Sequence, residues 1–288
     1  MSGLPGAERW DGTTIVLATR RIGRPLWHYA SVPSTMPLAH ELAARGATDG
    51  TAIVADEQTA GRGRRGRSWH APPGGAILCS LILRPPLPPR ELFLLTAAVS
   101  VGLCLGVERA TGLRSQLKWP NDLLLGGGKL AGVLTESRFL GGALAHAIVG
   151  FGLNVALRAA DLPPPSRVGA LPPISLADAL DTAPDRLAVL AAILAAIDQV
   201  YDSLWRGGGD ALWADWRSRL VGVGEVVRVE TEAGPLVGTF ADVARDGALL
   251  LATAAGTARI LAGDVVLGPR PVEPPAEPSA EPSIAPKI

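Results

Sequence analysis

The sequence predicts an α+β fold: a mixed, largely antiparallel sheet with helices on one face, followed by a small C-terminal β-barrel. Three observations predict it. Strand-like runs between residues 75 and 157 are joined by short Asn-Asp and Gly-rich turns, which suit hairpins. Apolar residues recur at helical spacing over about residues 90–110, and 184–216 also reads as helical. From residue 222 to 268 the pattern changes to four short strand-like runs, "EVVRVET", "GPLVGTFADV", "GALLLAT" and "TARILAGDVVLG". The expected divisions are a loosely ordered lead-in at 1–25, a main domain at 26–220, a barrel at 221–269 and a disordered Pro/Glu-rich tail at 270–288.

The elements follow in order. "LWHYASVPSTMPLAHELAARG" gives a strand, a turn and a helix that Ser34 or Thr35 can N-cap, with Pro37 in its first turn and Gly46 closing it. "GTAIVADEQ" is a short strand that leaves Gln58 at its C-terminal end, and "GAILCSLILR" is the next. "SQLKWPNDLLL" reads as a strand broken at Pro120 with Asn121-Asp122 in the turn, and Gly126–Gly128 lead through a hairpin into "KLAGVLTES". "ALAHAIVGFGLNVAL" is a further strand, and the long Pro-rich loop at 161–175 is of a length that usually carries function.

Lys plus Arg number 27 and Asp plus Glu number 27, a balance that argues against a general nucleic-acid or anionic-membrane binder. Cys79 and Cys104 lie in apolar runs with no C-x-x-C spacing, and the four histidines lack metal-ligand spacing. The N-terminus carries no signal-peptide pattern, and the longest apolar stretch suits a buried helix, so a soluble cytoplasmic protein is expected.

Positive charge is instead local. "GRGRRGRSW" places Arg62, Arg64, Arg65 and Arg67 on a glycine-rich backbone without an adjacent acid. Glycine amides and guanidinium forks suit phosphate or carboxylate oxygens, and equally an RNA contact. Gln58 just before the loop can both donate to and accept from an amide or urea. In "KWPNDLLLGGGKLAG", the cluster Lys118, Asn121, Asp122 and Lys129 suits an anionic substrate with a divalent cation, or an ordinary turn with surface lysines. "GGGKL" lacks P-loop spacing and "GFGLNV" lacks the third glycine of a dinucleotide fingerprint, while Asn154 within it can read an adenine edge. With no nucleophilic triad in view, the inventory describes an enzyme that binds two anions and joins them.

"PSTM", "EQTAGRGRRGRSW", "KWPNDLLL", "GKLAGVLTE" and "GFGLN", in this order and spacing, resemble the biotin protein ligases over residues 26–155. The resemblance implies a catalytic domain like that of class II aminoacyl-tRNA synthetases and an SH3-like C-terminal barrel. It implies two steps: biotin and MgATP give biotinyl-5'-AMP and pyrophosphate, then the biotin passes to a lysine of a biotin carboxyl-carrier protein of acetyl-CoA carboxylase or a related carboxylase. A nucleic-acid or membrane partner is not implied, and a homodimer is left open. By position in the motifs, Ser34, Thr35, Met36 and Gln58 would contact biotin, Arg62, Gly63 and Arg64 would form the loop portion of the biotin and phosphate site, and Lys129 would contact biotin's carboxyl end. Arg62, Arg64, Arg65, Arg67, Lys118, Asn121, Lys129 and Asn154 would serve ATP and the adenylate. Arg64, Lys129 and Asp122 would carry the catalysis, Asp122 through magnesium or by deprotonating the acceptor lysine. The glycine-rich loop would close over the adenylate and exclude water.

Three departures stand out. Met36 replaces the family's usual Asn, and the loop at 161–175 has no tryptophan to stack on adenine. Too few residues precede Leu26 for a helix-turn-helix domain, so the ligase-only form is expected. The competing readings are a lipoate or octanoate ligase or transferase of similar fold, and a non-enzymatic RNA-binding module.

Overall fold

The computed structural model of the protein describes residues 4–10, 14–162 and 170–267. Within them, β1 (Glu8–Trp10), β2 (Leu26–Val32), β3 (Ala52–Gln58), β4 (Ala76–Leu83), β5 (Gln116–Lys118), β6 (Asp122–Leu125), β7 (Gly128–Leu140) and β8 (Ala143–Asn154) form one sheet. Its order is β1-β2-β3-β4-β8-β7-β6-β5. The β2–β3 pair is parallel and the other neighbours are antiparallel. Helix α1 (Thr35–Ala44) bridges that parallel step, because a parallel pair needs a long crossover.

Helices cover both faces, which corrects the one-face expectation. Alternate residues of the central strands point to opposite layers: Ile53, Ala55, Ile82 and Ile148 pack under α1. Ala52, Val54, Cys79, Leu81 and Val149 face α2 (Phe93–Thr111) and α4 (Arg186–Trp205). Strands buried on both faces read as continuous apolar runs, which conceals the second layer from a pattern argument. Helices α2 and α4 pack at near-backbone contact. A Cβ on Gly102 would lie 2.5 Å from Ile197 Cγ1, and one on Gly106 2.5 Å from Ile193 Cα. By length and composition alone, 89–111 and 186–205 are apolar enough to cross a membrane; here both lie in the main core.

The expected loose lead-in is woven into the fold at 4–10 and 14–25. Strand β1 extends the sheet, and the backbone N–H groups of Arg20, Arg21 and Ile22 each donate to the Asp198 carboxylate at 2.8 Å. Those contacts leave Asp198, on α4, a buried but satisfied charge. After the short α3 (Leu176–Leu180), the helical stretch at 184–216 divides into α4 and α5 (Gly209–Ser218), with left-handed Gly207 (φ +87°) at the break.

Strands β9 (Val226–Thr231), β10 (Gly234–Val243), β11 (Leu249–Thr253), β12 (Gly256–Ile260) and β13 (Asp264–Val266) form a second sheet, ordered β12-β11-β10-β9-β13. All its pairs are antiparallel, and among the described residues β12 and β13 are its edges, so the pairing is that of a small sheet without barrel closure. It is fastened to the main domain by Trp119 Nε1, which donates to Gly247 O at 2.8 Å, and by Arg217 to Asp242 at 2.7 Å. The tail at 270–288 and residues 163–169 of the Pro-rich loop lie outside the described residues.

Candidate active site

The site begins as a run of missing side chains. On the sheet face that carries α1, register sets Ser80 opposite Gly150, and Gly152 opposite both Leu78 and Gly132. Nearer the body of α1 the same face is filled by Ile82 and Ile148, so the trough opens where the helix starts. Met36 and Trp69 reach into it. A Cβ on Gly150 would sit 2.9 Å from Met36 Cγ, and one on Gly152 2.5 Å from the Trp69 indole. The resulting cleft is lined by Ser34, Thr35, Met36, Gln58, Arg62, Gly63, Arg64, Arg67, Trp69, Asn121 and Lys129, among others. Arg65, Lys118, Asp122 and Asn154 are not part of that lining.

At one end lies an uncharged network. Gln58 Oε1 accepts from Thr35 N at 2.8 Å and from Thr35 Oγ1 at 3.1 Å, and Thr35 Oγ1 is 2.7 Å from Ser80 Oγ. With its carbonyl engaged, Gln58 offers its NH2 group as a donor. Ser34 occupies the N-cap position of α1 with extended backbone, but its buried hydroxyl does not cap the helix.

At the other end charges gather. Arg64 Nη1 donates to Asn121 Oδ1 at 3.1 Å, and Asn121 is fixed by its own donation to Val133 O at 2.7 Å. Burial pulls the Arg64 guanidinium below the ordinary arginine range; Arg67 and Arg65 act the same way, while Asp264 and Asp122 oppose them. Lys129 Nζ is 2.7 Å from Asp122 Oδ1 and 5.8 Å from the centre of the Trp69 ring. The far end of the Pro-rich loop is pinned to the same lysine, since Lys129 N donates to Pro172 O at 2.8 Å and Ile174 N to Lys129 O at 3.1 Å. Asn154 Nδ2 donates to Ile174 O at 3.0 Å, whereas its buried Oδ1 has no hydrogen-bond partner. Lys118 is buried on β5.

The reading of the loop as arginines without acidic partners is corrected by three carboxylates. Arg62 lies 3.1 Å from Glu136, Arg65 3.2 Å from Glu232, and Arg67 2.6 Å from Asp264, which is also 3.8 Å from Arg65. The basic stretch is therefore locally neutralised, which removes the observation that favoured an RNA contact. Ser80 and Asp264 belong to the site and lie outside the motifs, whereas Glu136 and Gly132 fall within "GKLAGVLTE" and Gly150 and Gly152 within "GFGLN", where the sequence alone assigns them no role. A transferase-type nucleophile is not supported either. Burial pushes the thiols of Cys79 and Cys104 above the usual cysteine range, away from the reactive thiolate. Among the described residues no group of three or more His, Cys, Asp or Glu is arranged to hold a metal ion, and Asp122 is occupied by Lys129.

Comparison with known proteins places this geometry among relatives. Residues 29–154 match the biotin/lipoate A/B protein ligase family, and 222–268 match the biotin protein ligase C terminal domain. The bifunctional ligase/repressor BirA of Bacillus subtilis is 36% identical over 252 residues, covering 88% of this chain and 77% of that protein. A biotin–(acetyl-CoA-carboxylase) ligase of Mycobacterium tuberculosis is 35% identical over 223 residues, covering 76% of this chain and 79% of its own length. Among solved structures, the biotin protein ligase of Aquifex aeolicus in complex with biotin and ATP superposes with a TM-score of 0.67 at 28% identity, covering 83% of this chain and 97% of that one.

Proposed function

The chain belongs to the biotin/lipoate A/B protein ligase family, and on that premise we propose that it is an ATP-dependent biotin protein ligase. Its acceptor is the lysine of a biotin carboxyl-carrier domain of acetyl-CoA carboxylase or a related carboxylase, and it acts in the cytoplasm. The small second sheet is read as the SH3-like module of such ligases.

In the first step a biotin carboxylate oxygen attacks the α-phosphorus of ATP. The new O–P bond forms as the bond to the bridging oxygen breaks, and pyrophosphate leaves. In the second step the acceptor ε-amine attacks the acyl carbon, AMP departs with the bonding pair, and the amine gives up a proton.

One observation carries the reading: a single trough holds the Thr35–Gln58–Ser80 network and the cationic pair Arg64 and Lys129. A ureido ring needs donors and acceptors together, and the Gln58 NH2 with the Ser34 and Thr35 hydroxyls supplies them. Met36 closes that end with an adaptable thioether. Carboxylate and triphosphate repel one another, and Arg64 and Lys129 offset that repulsion at the reacting centre. Arg62 and Gly63 bring the loop to the carboxyl end, Arg67 borders the phosphates, and Arg65 fastens the loop from outside. Asn121 acts through Arg64, and Lys118 supports the turn from below. The unpartnered Asn154 Oδ1 suits the exocyclic amine of adenine. Asp122, released when Lys129 turns to the ligand, accepts the amine proton. Magnesium enters with the nucleotide as MgATP, a form that needs few protein ligands.

Incubation with MgATP and either biotin or lipoate tests the proposal through pyrophosphate release. Release that depends on biotin is expected. Release with lipoate alone, or with neither acid, refutes it.

A further inference from the structure

A polar chain enters the cleft from the side, built from residues that the ligase reading leaves unused. On β7 the side chains alternate, so Glu136 shares the trough face with Gly132. On α1, His40 follows Met36 by four residues and so lies on the same helix face, one turn on. His146 is buried on β8, where its neighbour in register is Arg138.

These groups are in contact. Glu136 Oε2 is 2.9 Å from His40 Nε2, and Glu136 Oε1 is 3.1 Å from Arg62 Nη2. His40 Nδ1 is 3.2 Å from His146 Nε2. A carboxylate only accepts, so His40 Nε2 is the donor to Glu136. Burial holds the His146 imidazole below its ordinary pKa, and His40, Arg84 and Arg138 push it the same way. A neutral His146 can donate from Nε2 to His40 Nδ1, which fixes the orientation of the His40 ring. Each Glu136 oxygen then has one donor, and the carboxylate is held between helix and loop.

We propose that Glu136, oriented by His40, is a positioning residue that aims Arg62 of the glycine-rich loop into the cleft. The inference rests on the biotin-ligase reading and assigns Glu136 and His40 a part in it. The Arg62 side chain is 49% exposed, so without Glu136 it would sample many rotamers. Ordering it beforehand lowers the cost of binding the substrate carboxylate. Glu136 engages one nitrogen of a guanidinium that has five N–H donors, leaving the others for a ligand.

The test is steady-state pyrophosphate release by Glu136→Gln and His40→Ala, each made in the wild type and in an Arg62→Met background. Glu136→Gln is expected to raise KM for biotin about threefold to tenfold with kcat changed by less than about twofold. His40→Ala should shift KM the same way by a smaller factor. In the Arg62→Met background both substitutions should leave KM within about 1.5-fold, because the group they position is gone. An unchanged KM in the Glu136→Gln and His40→Ala variants overturns the proposal. So does an equal rise in both backgrounds, which marks a general structural effect. If the wild type itself shows no biotin-dependent release, the ligase reading fails before any variant is compared.

Discussion

Replacing Gly152 with alanine should disturb the binding loop without touching any charged group. The added Cβ would lie 2.5 Å from Trp69 Cε2, 2.6 Å from Nε1 and 2.9 Å from Cζ2. An ordinary contact begins at 3.4 Å, so the indole would have to retreat by up to about 1 Å. Trp69 has little freedom to do so. Its backbone N–H donates to Gly61 O at 2.9 Å, and Gly61 is itself packed against the Trp69 carbonyl. Displacing the ring therefore displaces the closed end of the arginine loop. Overpacking of this kind costs about 1–3 kcal/mol, equivalent to a fall of roughly 2–10 °C in melting temperature for a chain of this size. If the loop moves instead, that cost passes to the ligand, and KM for biotin and ATP rises about fivefold to a hundredfold.

Gly132→Ala is the internal control. Its Cβ would approach Trp69 Cζ3 no closer than 3.4 Å, and KM and melting temperature should stay near wild type. Thermal unfolding and biotin-dependent pyrophosphate release, measured on both variants, read the two routes. A Gly152→Ala protein matching the wild type in both measurements, or matching Gly132→Ala, would refute the steric reasoning.

Three further outcomes are expected. Arg64→Ala should lower kcat/KM for adenylate formation by about a hundredfold or more while the far-ultraviolet circular dichroism stays native; an unfolded variant would show Arg64 to be structural. Asp264→Asn removes the carboxylate shared by Arg67 and Arg65, and should cost about 1 kcal/mol at low salt, shrinking at high salt; melts at two ionic strengths check it. At Asp56, burial pushes the carboxyl up, but hydrogen bonds and charge from Arg186 and His28 outweigh it and hold the pKa below 3.8. A depressed folded pKa contributes stability above the unfolded value and loses it as pH falls through the folded one. Asp56→Asn should therefore destabilise the protein at neutral pH and flatten the acid limb below about pH 4, read by urea titration across pH.

The sequence carried the sheet well because alternation and turn chemistry are local. Gln58 at a strand end, the Asn121-Asp122 turn and the glycine-rich loop were all legible, and the structure brings Gln58, Asn121 and the loop to one cleft. What stayed hidden was set by distant partners. Asp264 meets Arg67 across 197 residues, and Asp198 collects the backbone of Ile22 across 176. Neither pairing leaves a periodic trace. The second helical layer was missed because strands buried on both faces lose the alternation that would reveal it. The trough was missed because Gly132, Gly150 and Gly152 count as weak strand formers until register aligns them on one face.

The acids around the loop change what its charge can do. Glu136 from β7 engages Arg62, Glu232 from beyond β9 engages Arg65, and Asp264 from β13 engages Arg67 and, at longer range, Arg65. A phosphate entering the cleft must therefore compete with a carboxylate for Arg62 or Arg67, and the gain is the difference between two ion pairs. Arg64 is placed differently. Its direct hydrogen bond goes to the neutral amide of Asn121, with Asp264 and Asp122 acting on it from farther off. Burial already costs this charge stability, so an arriving anion relieves it without displacing a direct carboxylate partner. Among the four arginines, Arg64 alone has a neutral amide as its direct hydrogen-bond partner, which on the proposed reading makes it the strongest anion donor.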